Sequence, residues 1–248
     1  MAIADREASV HVMAVKHDGS GLGFLRTLHV GVDVEAMAMT DDGLLLVCSD
    51  AVECFDVTKG SAVGCIERPD AKIKTKRVGA NLRFAAVSDQ ACVRVYPRVP
   101  GGAFSDASCW SWKVSMVGVL WFPTSDSGLL QVHVNADDEV WVLEMDVGAD
   151  PGSERRVWSD SDGYRSLVWA DGQWLACKGG RSALYRLGDA VSDDDWSVDY
   201  DTRQPVYVPA MRSVLMLRAW SQEVDIVPID PVEVRPVTVS VSCLITKK

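Results

Sequence analysis

Long apolar runs are missing from this 248-residue sequence, and none approaches the roughly 18–20 residues that a membrane-spanning helix requires. Helical periodicity is nearly absent as well, which removes helix bundles from consideration. Paired cysteines are lacking. The seven, Cys48, Cys54, Cys65, Cys92, Cys109, Cys177 and Cys243, are odd in number, singly spread and free of any CxxC, so they form no disulfide framework. Basic charge is short too: 25 Lys and Arg against 35 Asp and Glu leave a net charge of −10, unlike a generic nucleic-acid binder, and nothing signals DNA specificity. Residues Met1–Glu7 carry three charges and no apolar core, the opposite of a secretory leader. The expectation is an intracellular protein of the cytoplasm or nucleus, with free thiols and no membrane insertion.

What is present is alternation. Hydrophobic residues make up 48% and charged residues 24%, ordinary for a globular chain, and they alternate over five to eight positions between Asp-Gly, Asn or Pro turns. A longer period lies beneath. The segments CSDAVECFDV (48–57), VSDQACVRVY (87–96), VNADDEVWVL (134–143), CKGGRSALYRL (177–187) and AWSQEVDIV (219–227) repeat a polar turn followed by a strand. Their turn positions Asp50, Asp89, Asp137, Gly180 and Ser221 are 39, 48, 43 and 41 residues apart, a mean of about 43 that falls inside the range of four-stranded propeller blades. Preceding strands at Val34–Thr40 with Leu44–Cys48, Val117–Pro123 with Leu129–Val134, and Leu167–Ala170 with Gln173–Cys177 read as hairpins. Fourth strands are expected at Ser61–Ile66, Ser108–Val114, Glu154–Trp158, Trp196–Tyr200 and Val232–Val237.

The termini supply a further hairpin, Ser9–Lys16 with Gly23–Val30, and an alternating segment Thr238–Ile245. Joining these in one closing blade would remove exposed sheet edges. The expected fold is all-β: a single β-propeller domain over 1–248 with four-stranded antiparallel blades. Six blades, the closing one built from both termini, is the leading count, with five or seven as alternatives.

Val34–Gly60 resembles a blade of the WD-repeat propeller family, with Phe55-Asp56 in the place of the family's Trp-Asp pair and Thr58-Lys59-Gly60 as its turn. Ala85–Tyr96 repeats the match with Tyr96-Pro97. The family's Gly-His dipeptide is missing and the specific match ends near residue 100, so the resemblance is to a degenerate member and identifies no subfamily.

Chemistry is sparse. His11, His17, His29 and His133 show no metal-ligand spacing. Asp160-Ser-Asp-Gly163 begins like a calcium loop but lacks its third acidic position and distal Glu. Gly19-Ser-Gly-Leu-Gly23 stands between two strands and cannot cradle a phosphate at a helix start. The acidic cluster Asp193–Asp195 with Asp199 and Asp201 reads as a solvated loop. No nucleophile elbow or zinc-protease motif occurs in a supporting context, so neither catalytic residues, metal nor cofactor are expected.

Partner-binding candidates are of two kinds. Lys72, Lys74 and Lys76 share one face of an extended stretch and lead to Arg77, a positive stripe suited to an acidic peptide or RNA. Nine tryptophans include Trp220, beside a turn and near Arg218, and Trp with Arg is the pairing most enriched at interface hot spots. The expected function is a non-catalytic protein–protein interaction scaffold, a subunit of a larger complex. Alternatives are an RNA-associated propeller in a ribonucleoprotein and an enzyme or small-molecule binder using a central channel. Fold alone does not decide among these.

Overall fold

A computed structural model of the chain describes residues 2–4, 8–16, 22–31, 33–49, 51–66, 77–89, 91–100, 102–105, 107–114, 117–136, 139–149, 154–160, 164–170, 173–178, 184–186, 206–208, 211–217, 223–229 and 237–240. The chain divides into two compact units. The larger comprises residues 2–12 and 26–161, and the smaller comprises Met1, 13–25 and 162–248.

In the larger unit three antiparallel sheets follow one another, each a meander of four strands in chain order. The first contains β4 (Ala36–Met39), β5 (Leu44–Cys48), β6 (Val52–Asp56) and β7 (Ser61–Ile66). The second contains β8 (Arg77–Ala80), β9 (Phe84–Ser88), β10 (Val93–Pro97) and β11 (Trp110–Trp112). The third contains β12 (Val117–Trp121), β13 (Leu129–Ala136), β14 (Glu139–Asp146) and β15 (Arg155–Asp160). A sheet of order β1-β2-β3 is made by Ala2–Ala4, Ser9–Val15 and Leu22–His29.

The second strand of each meander explains why the sheets stack. β5 and β9 are buried at every position, because each strand faces two cores at once. Leu44, Leu46 and Cys48 pack with Val78, Ala85, Val87 and Tyr96 of the second sheet, whereas Leu45 and Val47 pack with Val10, Val12, Leu28 and Val30. β9 repeats the pattern one sheet on. Ala85 and Val87 face the first sheet, and Phe84 and Ala86 face Leu120, Leu130, Val132 and Val134 of the third. With two-residue side-chain alternation, a strand buried on both faces must read as a continuous apolar run.

The first strands, β4, β8 and β12, lie beside one another. Gly79 makes the closest of these approaches possible, since a Cβ there would lie 2.6 Å from the Leu120 carbonyl oxygen. Gly79→Ala is expected to destabilise the protein by about 1–3 kcal/mol in urea unfolding, the usual cost of overpacking; unchanged stability would contradict this approach.

Turns are set by short polar residues. Asp89, between β9 and β10, accepts from the amides of Ala91 (2.7 Å) and Cys92 (2.9 Å), the Cys92 thiol and the Arg94 guanidinium. Burial opposes its ionisation, but these four donors outweigh that cost and hold its carboxyl down at about 2. Because the folded value lies below that of a free aspartate, the stabilisation is present above pH 4 and is lost as the pH falls towards 2. Asp89→Asn is therefore expected to lower stability by about 2 kcal/mol at pH 7 and to narrow that gap progressively below pH 4. A gap independent of pH would remove the carboxylate from this role.

The smaller unit contains a sheet of β16 (Tyr164–Ala170), β17 (Gln173–Lys178) and β18 (Leu184–Arg186), and one of β19 (Val206–Val208), β20 (Ser213–Leu217), β21 (Glu223–Pro228) and β22 (Val237–Ser240). β16 and β19, the first strands of their sheets, adjoin as β4, β8 and β12 do.

One sequence expectation is corrected at the termini. Val237–Ser240 pairs with β21, Val237 opposite Ile226 and Val239 opposite Val224, whereas positions 232–236 of the expected fourth strand lie outside the described residues. Thr238–Ser240, expected in a closing sheet with the N-terminal hairpin, thus belongs to the sheet of β19–β21. Among the described residues that N-terminal sheet draws all three strands from the N-terminus, β1 being unforeseen. Trp196–Tyr200, residues 241–248 and the acidic cluster at 193–201 lie outside the described residues.

Candidate docking groove

An open groove of about 910 Å³ lies between the first and second sheets of the larger unit, where the β4–β5, β6–β7 and β8–β9 turns meet the segment following β10. Each contributor is held by its own local bonds. Gly43, at φ 85°, allows the tight turn in which the Thr40 amide donates to the Leu44 carbonyl (2.9 Å). Asp56 closes the β6–β7 turn by accepting from the Thr58 amide and hydroxyl (2.9 and 2.6 Å) and the Lys59 amide (3.0 Å). Asn81 accepts from the amides of Arg83 (2.9 Å) and Phe84 (2.8 Å), fixing the turn that presents Arg83. Its Nδ2 also donates to the Ser127 carbonyl of the third sheet (2.9 Å).

Charge within the groove is unevenly matched. Arg98 pairs with Asp42 (2.8 Å), tying the second sheet to the first and holding the Asp42 carboxyl below the usual range. Lys59 pairs with Asp56 at 3.0 Å, and the Thr58 hydroxyl and Lys59 hold Asp56 well below that range. Arg83 has no carboxylate partner among the described residues. It is exposed, its Nη1 donates to the Asp126 carbonyl (3.2 Å), and its guanidinium lies 5.1 Å from the Phe84 ring centre. Val63 and Val99, 39% and 41% exposed, are the large apolar side chains open to solvent along the groove.

Of the partner-binding residues singled out in the sequence, Arg77 alone is among the described residues. Lys72, Lys74, Lys76, Arg218 and Trp220 lie outside the described residues. Arg77 is half-buried at the start of β8, and its Nε donates to the Gly118 carbonyl of the third sheet. The register of β12 against β13 slips between Val117 and Val119, and it is Gly118 in that slip whose carbonyl Arg77 takes. Arg77 thus joins two sheets.

Histidine placement is equally structural. His11 bonds Thr27 (3.0 Å) and His29 bonds Ser9 (2.9 Å) between β2 and β3. His133 on β13 is fully buried against Gly118, with neither ring nitrogen hydrogen-bonded. Burial, reinforced by the Arg77 charge, pushes its pKa down to about 4, so the ring is neutral at pH 7.

Of the cysteines, Cys48, Cys54 and Cys92 are buried, whereas Cys65 and Cys109 are exposed. Burial pushes the Cys54 thiol up to about 11. A brief pulse of iodoacetamide at pH 8 on native protein is expected to label Cys65 and Cys109 at least tenfold faster than Cys48, Cys54 and Cys92, read by peptide mass mapping. Equal labelling would contradict the burial of β5, β6 and the β9–β10 turn.

No family model and no curated protein sequence matches the chain. Solved structures do. A chain of the mitotic checkpoint complex aligns with a TM-score of 0.54 at 14% identity, covering 96% of this chain and 75% of that one. A provisional 6-phosphogluconolactonase from Bacteroides uniformis aligns with a TM-score of 0.54 at 13% identity, covering 96% and 78%. With the successive antiparallel meanders, these decide the architecture. The fold is an all-β propeller. Among its described residues, no helix is long and apolar enough to cross a membrane. At such identities the likeness concerns the fold alone, and the two structures come from proteins of different kinds.

Proposed function

We propose that this propeller is a non-catalytic protein–protein interaction scaffold, an intracellular subunit of a larger complex, built as a degenerate WD-repeat-like ring of six blades. The blade number is supported by the sequence period of about 43 residues and by six antiparallel sheets among the described strands. The scaffold role is carried by the groove. It is an open, walled cleft formed by turns from two sheets, with exposed valines beside charged side chains, and such turns on a β-scaffold are where binding residues are commonly presented. The likeness to a chain of the mitotic checkpoint complex is in keeping with this role.

A second reading is favoured by the other structural neighbour: an enzyme or small-molecule binder using the propeller's channel. Affinity purification of the tagged full chain from its native cells, followed by size exclusion and mass spectrometry, separates the two. Stoichiometric recovery in an assembly well above the monomer mass is expected. A lone monomer would overturn the scaffold reading and turn attention to substrates.

A further inference from the structure

We propose that the groove between the first two sheets docks a short acidic peptide of a protein partner, with one of its carboxylates seated on Arg83. The proposal deepens the scaffold reading and rests on it.

The groove's own acids are already neutralised, Asp42 by Arg98 and Asp56 by Lys59. Arg83 is left as a cation without a carboxylate, at a positive site in a chain of net charge −10. Its geometry suits a carboxylate. One amino group is anchored on the Asp126 carbonyl and the plane is steadied near Phe84, so the remaining N–H groups are offered as a preset fork. The walls suit a peptide. Val63 and Val99 are open to solvent, and Pro97 and Pro100 beside them carry no N–H that would need a partner.

The outermost strand β7, which carries Val63, is exposed at five of its six positions and bears no charged side chain. Among the described residues it is the last strand of its sheet, the kind of edge to which an extended backbone can add. RNA fits less well, because a phosphate chain calls for a run of cations, whereas the groove sets Arg83 beside the apolar Val63 and Val99.

The test is selection of random 12-residue peptides on the immobilised full chain, with affinities of the selected peptides measured by fluorescence anisotropy. Peptides rich in Asp and Glu with interspersed apolar residues are expected. Their binding should fall at least tenfold in Arg83→Glu and in Val63→Asp, partly in Arg83→Gln, and should weaken with added salt. Melting temperatures of the variants should match the parent. Selection of peptides without an acidic excess, no selection at all, binding indifferent to Arg83→Glu, or stronger competition by a uridine 12-mer would each overturn the proposal. If Arg83→Glu still recovers the same native partners in affinity purification, the scaffold reading stands and the groove is not the docking site. If neither protein recovers a partner, the scaffold reading itself falls.

Discussion

The structure of the larger unit depends on strands that are apolar on both faces. A sheet with one apolar face is satisfied by one neighbour; a sheet centred on β5 or β9 needs two. Leu44, Leu46 and Cys48 on one side and Leu45 and Val47 on the other cannot all be hidden by a single packing partner. Stacking in series follows from that demand, with Phe84 and Ala86 passing it on to the third sheet. The propeller architecture is therefore already implied by the burial of individual strands.

Close stacking carries a steric and polar cost that particular residues meet. Where β8 approaches β12, Gly79 leaves room for the Leu120 backbone. Where β12 slips register, a side chain at Gly118 would strike the His133 ring, its Cβ coming 2.7 Å from Nδ1. The carbonyl at that slip is satisfied by Arg77, a long side chain able to cross between sheets while its charge stays half-exposed. His133 stays neutral beside it, because burial and a nearby cation both disfavour imidazolium. Glycine, arginine and histidine here serve one geometric need.

Strands and turns were legible in the sequence because both obey short-range rules. Alternation and Asp-Gly turns place β4–β7 within a residue or two, since side-chain period and turn chemistry act over fewer than ten residues. The placing of Thr238–Ser240 was missed because its partner sheet is set by pairing to β21, which alternation alone does not name. Arg77 read as the end of a solvent-facing basic stripe because sequence does not reveal a carbonyl 41 residues downstream. The groove was not legible for that reason. Arg98 meets Asp42 across 56 positions, and no local spacing announces that meeting.

That long-range pairing decides what the groove can recognise. Counting charges along the chain makes every surface look acidic, and by composition Asp42 and Asp56 would repel an acidic partner. Ion pairing reverses the sign locally. Once Arg98 and Lys59 are committed to those carboxylates, the field at the groove is governed by Arg83, which has no carboxylate partner among the described residues. The −10 background then gives Arg83 a second property. Long-range repulsion slows the approach of any polyanion, so only an acidic segment that also fills the apolar wall beside Val63 and Val99 gains enough at short range to stay. Selectivity for a peptide of mixed acidic and apolar character, as opposed to a uniformly charged polymer, follows from setting one unmatched cation in an acidic surface.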